Sequence, residues 1–101
     1  DGVGDRAAFG QISALAPDGQ GGFFVADIGA IRHVTAAGEV TTLTGVLGEV
    51  GHVDGPAGTA RIGRPESLLF DAGTSRLFIA DGSTIRVMAA DRSVLTIAGS
   101  P

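Results

Sequence analysis

Apolar residues in this chain come in runs of roughly four to six, FFVA, SLLF and RLFIA among them, parted every 8 to 12 residues or so by clusters of Gly, Asp, Thr and Ser. This is strand-and-turn punctuation, and no apolar stripe of helical period runs the length of a helix. The pattern predicts strands at Ile12 to Ala16, Phe23 to Ala26, Ile31 to Thr35 and Val40 to Thr44. A second set is predicted at Glu66 to Phe70, Arg76 to Ala80, Ile85 to Ala89 and Val94 to Ala98. Four short strands in each half make one antiparallel meander. The runs lack clean alternation between apolar and polar positions, which implies sheets covered on both faces. Twisted four-stranded sheets flanked by like neighbours are the blades of a propeller. A two-sheet sandwich fits less well, because it would leave one face of each sheet in water and show more polar alternation.

The two halves also match residue by residue. DGVGDRAAFGQI aligns with DGPAGTARIGRP, FFVADIGAIR with LFIADGSTIR, and VTTLTG with VLTIAG. The offset is 53 residues as far as Asp18 and Asp71 and 54 from Phe23 and Leu77 onward, so one inserted residue separates the copies. The chain thus divides into a first blade over residues 1–45, a linker over 46–65 and a second blade over 66–101. Within the first, residues 1–11 form a bracket ahead of the four strands. A repeat of this size cannot bury its own faces, and about three stacked copies are normally needed for stability. Two copies therefore predict self-association. The stretch Ala57 to Ile62 is expected to form one helical turn, matched by Gly4 to Phe9, with Ile62 and Phe9 as apolar plugs between neighbouring blades. The segment 1–11 is expected to pack across a subunit boundary, as its counterpart in the linker spans the internal one.

Composition narrows the function classes. The 101 residues are 44% apolar, a core-forming fraction, and contain no cysteine, which excludes disulfides, thiolate chemistry and Cys-based zinc sites. All seven basic residues are Arg and the net charge is −4. No cluster of Arg appears, so a general nucleic-acid binder is disfavoured. No apolar stretch approaches the roughly 20 residues that span a bilayer, and nothing resembles a signal peptide, so no membrane partner is expected and the compartment stays open. The absence of Lys and Asn beside abundant Ala, Gly, Asp and Val points to a GC-rich or designed source. The first residue, Asp1, lies inside the repeat motif, as expected of an excised segment.

Few residues carry candidate chemistry. Asp27 and Asp81 each end a strand, and Arg32 and Arg86 follow five residues later across tight loops. An Asp at such a place accepts hydrogen bonds from turn amides, and the Arg bridges to it or to the adjacent blade, so both pairs are read as blade-building devices. Asp1-Gly2 and Asp54-Gly55 read as turns, because calcium needs six to eight oxygens at a spacing that Asp18, Glu49 and Asp71 do not supply. His33 aligns with Val87, in a strand at a partly buried or edge position, and His52 lies in the long loop. Neither has the partner spacing of a zinc site. GQGG at 19–22 precedes a strand, whereas a phosphate cradle needs a helix N-terminus. No nucleophile, base and orienting group assemble into a catalytic set.

The ordered set Asp1-Gly2, Ala7, Phe9-Gly10, Val25-Ala26-Asp27, Ile31-Arg32 and Val40 through Gly45 resembles the NHL repeat of six-bladed propellers. The second copy supplies Asp54-Gly55, Ala60-Arg61-Ile62-Gly63, Pro65, Ile79-Ala80-Asp81, Ile85-Arg86 and Val94 through Gly99. The first copy departs from the pattern at Ile12, where the family often has the proline seen at Pro65. The resemblance implies about six blades in a ring. It also implies a binding platform for protein or RNA, with related propellers that are lyases or lactone hydrolases holding a metal in the central channel.

Taken together, the sequence predicts an all-β chain of two four-stranded propeller blades that closes a ring with copies of itself. A homotrimer with six blades is expected first and a tetramer with eight second. It is expected to be a non-enzymatic scaffold without cofactor or metal; the first alternative is a module that binds a ligand, peptide or protein, and a channel-metal lyase or lactonase comes last. Asp1, Gly2, Phe9, Asp27, Arg32, Asp54, Gly55, Ile62, Asp81 and Arg86 are the expected repeat and interface residues.

Overall fold

A computed structural model describes residues 2–4 and 8–100. It is all-β, and no α-helix occurs among the described residues. After a two-residue strand β1 (Gly2–Val3) come β2 (Ile12–Pro17), β3 (Phe23–Asp27), β4 (Ala30–Val34) and β5 (Glu39–Gly45). The second set is β6 (Ser67–Asp71), β7 (Arg76–Asp81), β8 (Thr84–Met88) and β9 (Val94–Gly99). All eight expected strands are present, with ends within one residue of the prediction. They form two four-stranded antiparallel meanders, β2-β3-β4-β5 and β6-β7-β8-β9, and β1 extends the first by pairing with β5. The same contact recurs in the second copy as a bridge between Gly55 and Val94.

The copies share irregular features as well as regular ones. A bulge shifts the register between Ile31 and Arg32 against β5, and another shifts it between Ile85 and Arg86 against β9. The strands that end there close on Gly45 and Gly99, at φ 76° and 86°. A side chain at either would place its Cβ 2.2 or 2.1 Å from the carbonyl oxygen of Gly29 or Ser83. Only glycine fits such an approach in the left-handed region.

The sheets pack face to face. Opposite residues of paired strands share a face, so Ala14, Ala16, Phe24, Ala26 and Ile31 lie on one side of the first sheet. Leu68, Leu77, Ile79, Met88 and Val94 lie on one side of the second. These two sides meet in a single core, joined by Ala60 and Ile62 of the linker. The expectation of sheets covered on both faces therefore holds, within one chain, for the facing sides alone.

The linker crosses between the sheets early and then belongs to the second. Gly48 N donates to Ile28 O, and Gly29 N to Gly63 O, which tie both ends of the linker to the β3–β4 turn. Val53 and Arg61 pair in extended conformation, and the amides of Thr59 and Ala60 both donate to Pro56 O. The helical turn expected over Ala57 to Ile62 is thus a single turn from Pro56 to Ala60. It stops there because the Arg61 amide is engaged by Val53 O at 2.9 Å. Half of the matching stretch, residues 5–7, lies outside the described residues.

Candidate functional site: a cavity between the two sheets

The Asp and Arg pairs are buried and face the bracket segments. Asp27 and Arg32 are 0% and 1% exposed, and Asp81 and Arg86 are 8% and 0% exposed, which leaves none of them open to a ligand. Asp27 accepts hydrogen bonds from the amides of Gly10 (3.0 Å) and Gln11 (2.7 Å) and from Arg32 Nη1 (3.1 Å). Asp81 accepts from Gly63 N (3.0 Å) and Arg86 Nη1 (3.2 Å). The amides come from the bracket, and not from the tight turn beside each Asp as the sequence led us to expect. Each Arg likewise donates to bracket carbonyls, Arg32 to Ala8 O and Arg86 to Arg61 O and Val53 O. Its reach is to the segment lying over its own sheet rather than to the adjacent one. Ala8–Gln11 is held on the first sheet and Arg61–Gly63 on the second by the same device.

Around that device the remaining expected residues take their places. Asp54 Oδ1 accepts from Arg86 Nη2 and from the Thr96 hydroxyl, both at 2.9 Å, and Oδ2 accepts from the Thr96 amide at 2.8 Å. His52 Nε2 lies 3.1 Å from the same hydroxyl oxygen. Burial opposes ionisation of Asp54, but the Thr96 amide, Arg86 and the Thr96 hydroxyl outweigh it and hold its carboxyl below the ordinary value of 3.8. Gly55 sits at φ 143° in the bridge to Val94, and Gly2 occupies the corresponding place against Val40 at φ 145°. Asp1 lies outside the described residues. Ile62 is fully buried, whereas Phe9 is 39% exposed with its ring 5.0 Å from the Arg32 guanidinium. Residues 1–11 were expected to span a subunit boundary; the described part is anchored to its own sheet and presents Phe9 outward.

A concave site lies at the rim where the β2–β3, β6–β7 and β8–β9 loops meet strands β3, β4 and β6. It is a cavity of about 280 Å³ lined by Asp18, Gln20, Phe24, His33, Phe70, Ser75, Ala90 and Arg92. Phe24 stacks at a tilt against Phe70 of the other sheet, centroids 4.6 Å apart, and against His33 at 5.2 Å. His33 Nε2 donates to Asp18 Oδ2 at 2.8 Å, and the amides of Gln20 and Gly22 donate to Asp18 Oδ1. That His33 hydrogen bond, and then the loop amides against the opposing effect of burial, keep the Asp18 carboxyl below its ordinary value.

The cavity escaped the sequence reading because its lining comes from three loops and three strands in two copies. A signal was nevertheless present. Ser75 and Arg92 are the only described residues other than glycine at positive φ, 55° and 73°. They align with Gly21 and Gly38, which hold φ 87° and 85° in the first copy. The second copy therefore places polar side chains, both lining this cavity, on turns that the first builds from glycine. His33 against Val87 is a third difference, with the polar side chain in the first copy and in a strand.

Among the described residues no three His, Asp or Glu side chains gather as a metal-binding group, and no helix is long and apolar enough to cross a membrane. No protein-family model matches the chain, and no curated protein matches it.

Proposed function

We propose that the chain is a self-assembling propeller segment, a non-enzymatic scaffold unit that closes a six-bladed ring as a head-to-tail homotrimer. The observation that carries this is the fate of equivalent apolar residues. On the outer side of the first sheet Phe9, Ile12, Leu15 and Phe23 are 39 to 55% exposed. Their counterparts in the second copy, Ile62, Pro65, Leu68 and Leu77, are buried, and Ile62, Leu68 and Leu77 belong to the core shared with the first sheet. On the outer side of the second sheet Leu69 and Ile85 are 67% and 41% exposed, and their counterparts Ala16 and Ile31 are 3% and 0% exposed.

Each open face thus repeats a face already buried at the internal junction. Such surfaces are complementary to each other and not to themselves, which makes the contact heterologous, and a heterologous contact closes as a ring or runs on as a fibre. Side-chain sizes support the fit. At the internal junction small Ala16 accompanies large Phe70, and the proposed junction would set large Leu69 beside small Pro17. The resemblance to the NHL repeat favours six blades and hence three chains.

Light scattering tests this directly. The expected mass is about 30 kDa, three times the 10.0 kDa chain. About 40 kDa would replace the trimer by an eight-bladed tetramer, and a stable folded monomer would overturn the proposal.

A further inference from the structure

We propose that the cavity between Phe24 and Arg92 binds a small organic anion, a carboxylate carried on an aromatic or compact apolar body. Arg92 is half-buried, and its guanidinium makes no hydrogen bond or ion pair with the described residues. Its backbone is held in the left-handed region at φ 73°, a conformation that disfavours a side chain. Such outliers persist where the surroundings impose them, and they cluster at ligand sites. The first copy performs the same turn with Gly38, so the turn itself does not require Arg. What the arginine adds is a planar fork of donors over a cavity of about 280 Å³.

The rest of the lining fits the same ligand. Phe24 and Phe70 offer apolar ring surface, and Ser75 and Gln20 offer neutral hydrogen-bond donors. Asp18 is the one carboxylate in the lining, and its oxygens already accept from His33 and two loop amides. It therefore leaves Arg92 available to an incoming anion. The volume lies near the lower end for small-molecule sites, which limits the ligand to about the size of a substituted benzoate.

The site is complete within one chain and independent of ring closure. In an assembled ring the junctions between chains would carry Val87 in the place of His33 and Gly38 in the place of Arg92. Binding would then occur once per chain.

Benzoate is the probe, with benzamide as its uncharged isostere, followed by NMR at the ring signals of Phe24, His33 and Phe70 and at the Arg92 side chain. The expected result is saturable shifts confined to the cavity at millimolar benzoate, with affinity for benzamide lower by about tenfold or more, the worth of one charge-assisted contact. Arg92→Gly reproduces the backbone of the first copy and should retain the fold while losing about tenfold or more in benzoate affinity. Arg92→Gln, which removes charge but keeps a polar side chain, should lose the same. Absence of saturable shifts, equal binding of benzamide, or retained affinity in either folded variant would overturn the proposal. Inorganic phosphate binding as tightly as benzoate would also overturn it, because the aromatic walls would then contribute nothing.

Discussion

Ile62 and Phe9 occupy the same place in the two copies, yet Ile62 has no exposed surface and Phe9 is 39% exposed. Ile62 rests in the core between the sheets, while Phe9 covers Arg32 on a side of the first sheet with no neighbour in the chain. Truncating them should therefore separate two kinds of stability. Ile62→Ala is expected to cost about 2–5 kcal/mol at every protein concentration, the range for a fully buried aliphatic side chain. Phe9→Ala should cost on the order of 3 kcal/mol at each closed junction and much less in a dilute, dissociated chain. Urea denaturation over a range of concentrations, with ultracentrifugation, distinguishes them. An unchanged assembly of undiminished stability in Phe9→Ala would remove that side chain from the contact.

Arg86 shows why the bracket segment stays in place. Its two terminal nitrogens reach four acceptors: Arg61 O at 2.8 Å, Asp81 Oδ2 at 3.2 Å, Val53 O at 3.0 Å and Asp54 Oδ1 at 2.9 Å. Lysine keeps the charge but gathers its donors on one atom, which cannot span these acceptors and gives up at least one charge-assisted hydrogen bond to the bracket. Arg86→Lys is expected to destabilise the chain by about 2–4 kcal/mol. Arg92→Lys, at a side chain without a partner among the described residues, should change stability by less than about 0.5 kcal/mol. Equal effects of the two substitutions in chemical denaturation would contradict this account.

The strands were legible because their apolar runs are short, Gly-bounded and present twice, so each copy checks the other. FFVAD and RLFIAD align, and the structure places both as the second strand of a meander. The Asp27–Arg32 and Asp81–Arg86 pairs were legible as structural for the same reason. What they hold was not. Asp27 takes its amides from residues 16 and 17 positions earlier, a distance that local turn chemistry does not reveal. The cavity was hidden by the opposite circumstance, since it depends on differences between copies where the repeat argument attends to likeness. Ser75 in place of Gly21 and Arg92 in place of Gly38 look like ordinary loop variation until both appear at positive φ on one rim.

Asp54 gives the chain an acid dependence with a definite sign. Its folded carboxyl titrates below 3.8, so its contribution is fully present above the unfolded value and disappears as pH falls through the lower, folded one. Asp54→Asn removes the charge that faces Arg86 and weakens acceptance from the Thr96 amide and hydroxyl. Thermal melts from about pH 2 to pH 7 should show the original chain more stable than the variant at neutral pH, with the gap closing below about pH 4. A gap that stays constant across that range would mean that Asp54 acts through shape alone.

Leu69 and Leu95 both project from the outer side of the second sheet, 67% and 59% exposed, but their counterparts part company. Ala16, the counterpart of Leu69, is buried at the internal junction, whereas Thr41, the counterpart of Leu95, remains exposed there. If the junction between chains repeats the internal one, Leu69 enters it and Leu95 stays outside. Leu69→Asp then buries an unpaired carboxylate at every closure, a cost of several kcal/mol that a ring of three junctions cannot absorb. Leu95→Asp leaves its charge in water. Both substitutions fall on exposed positions of the single chain and should spare its fold. By light scattering, Leu69→Asp should reduce the mass to about 10 kDa, that of the single chain, and Leu95→Asp should leave it at about 30 kDa. Dissociation by both alike would show that the whole outer side is used, and that the internal junction does not foretell the one between chains.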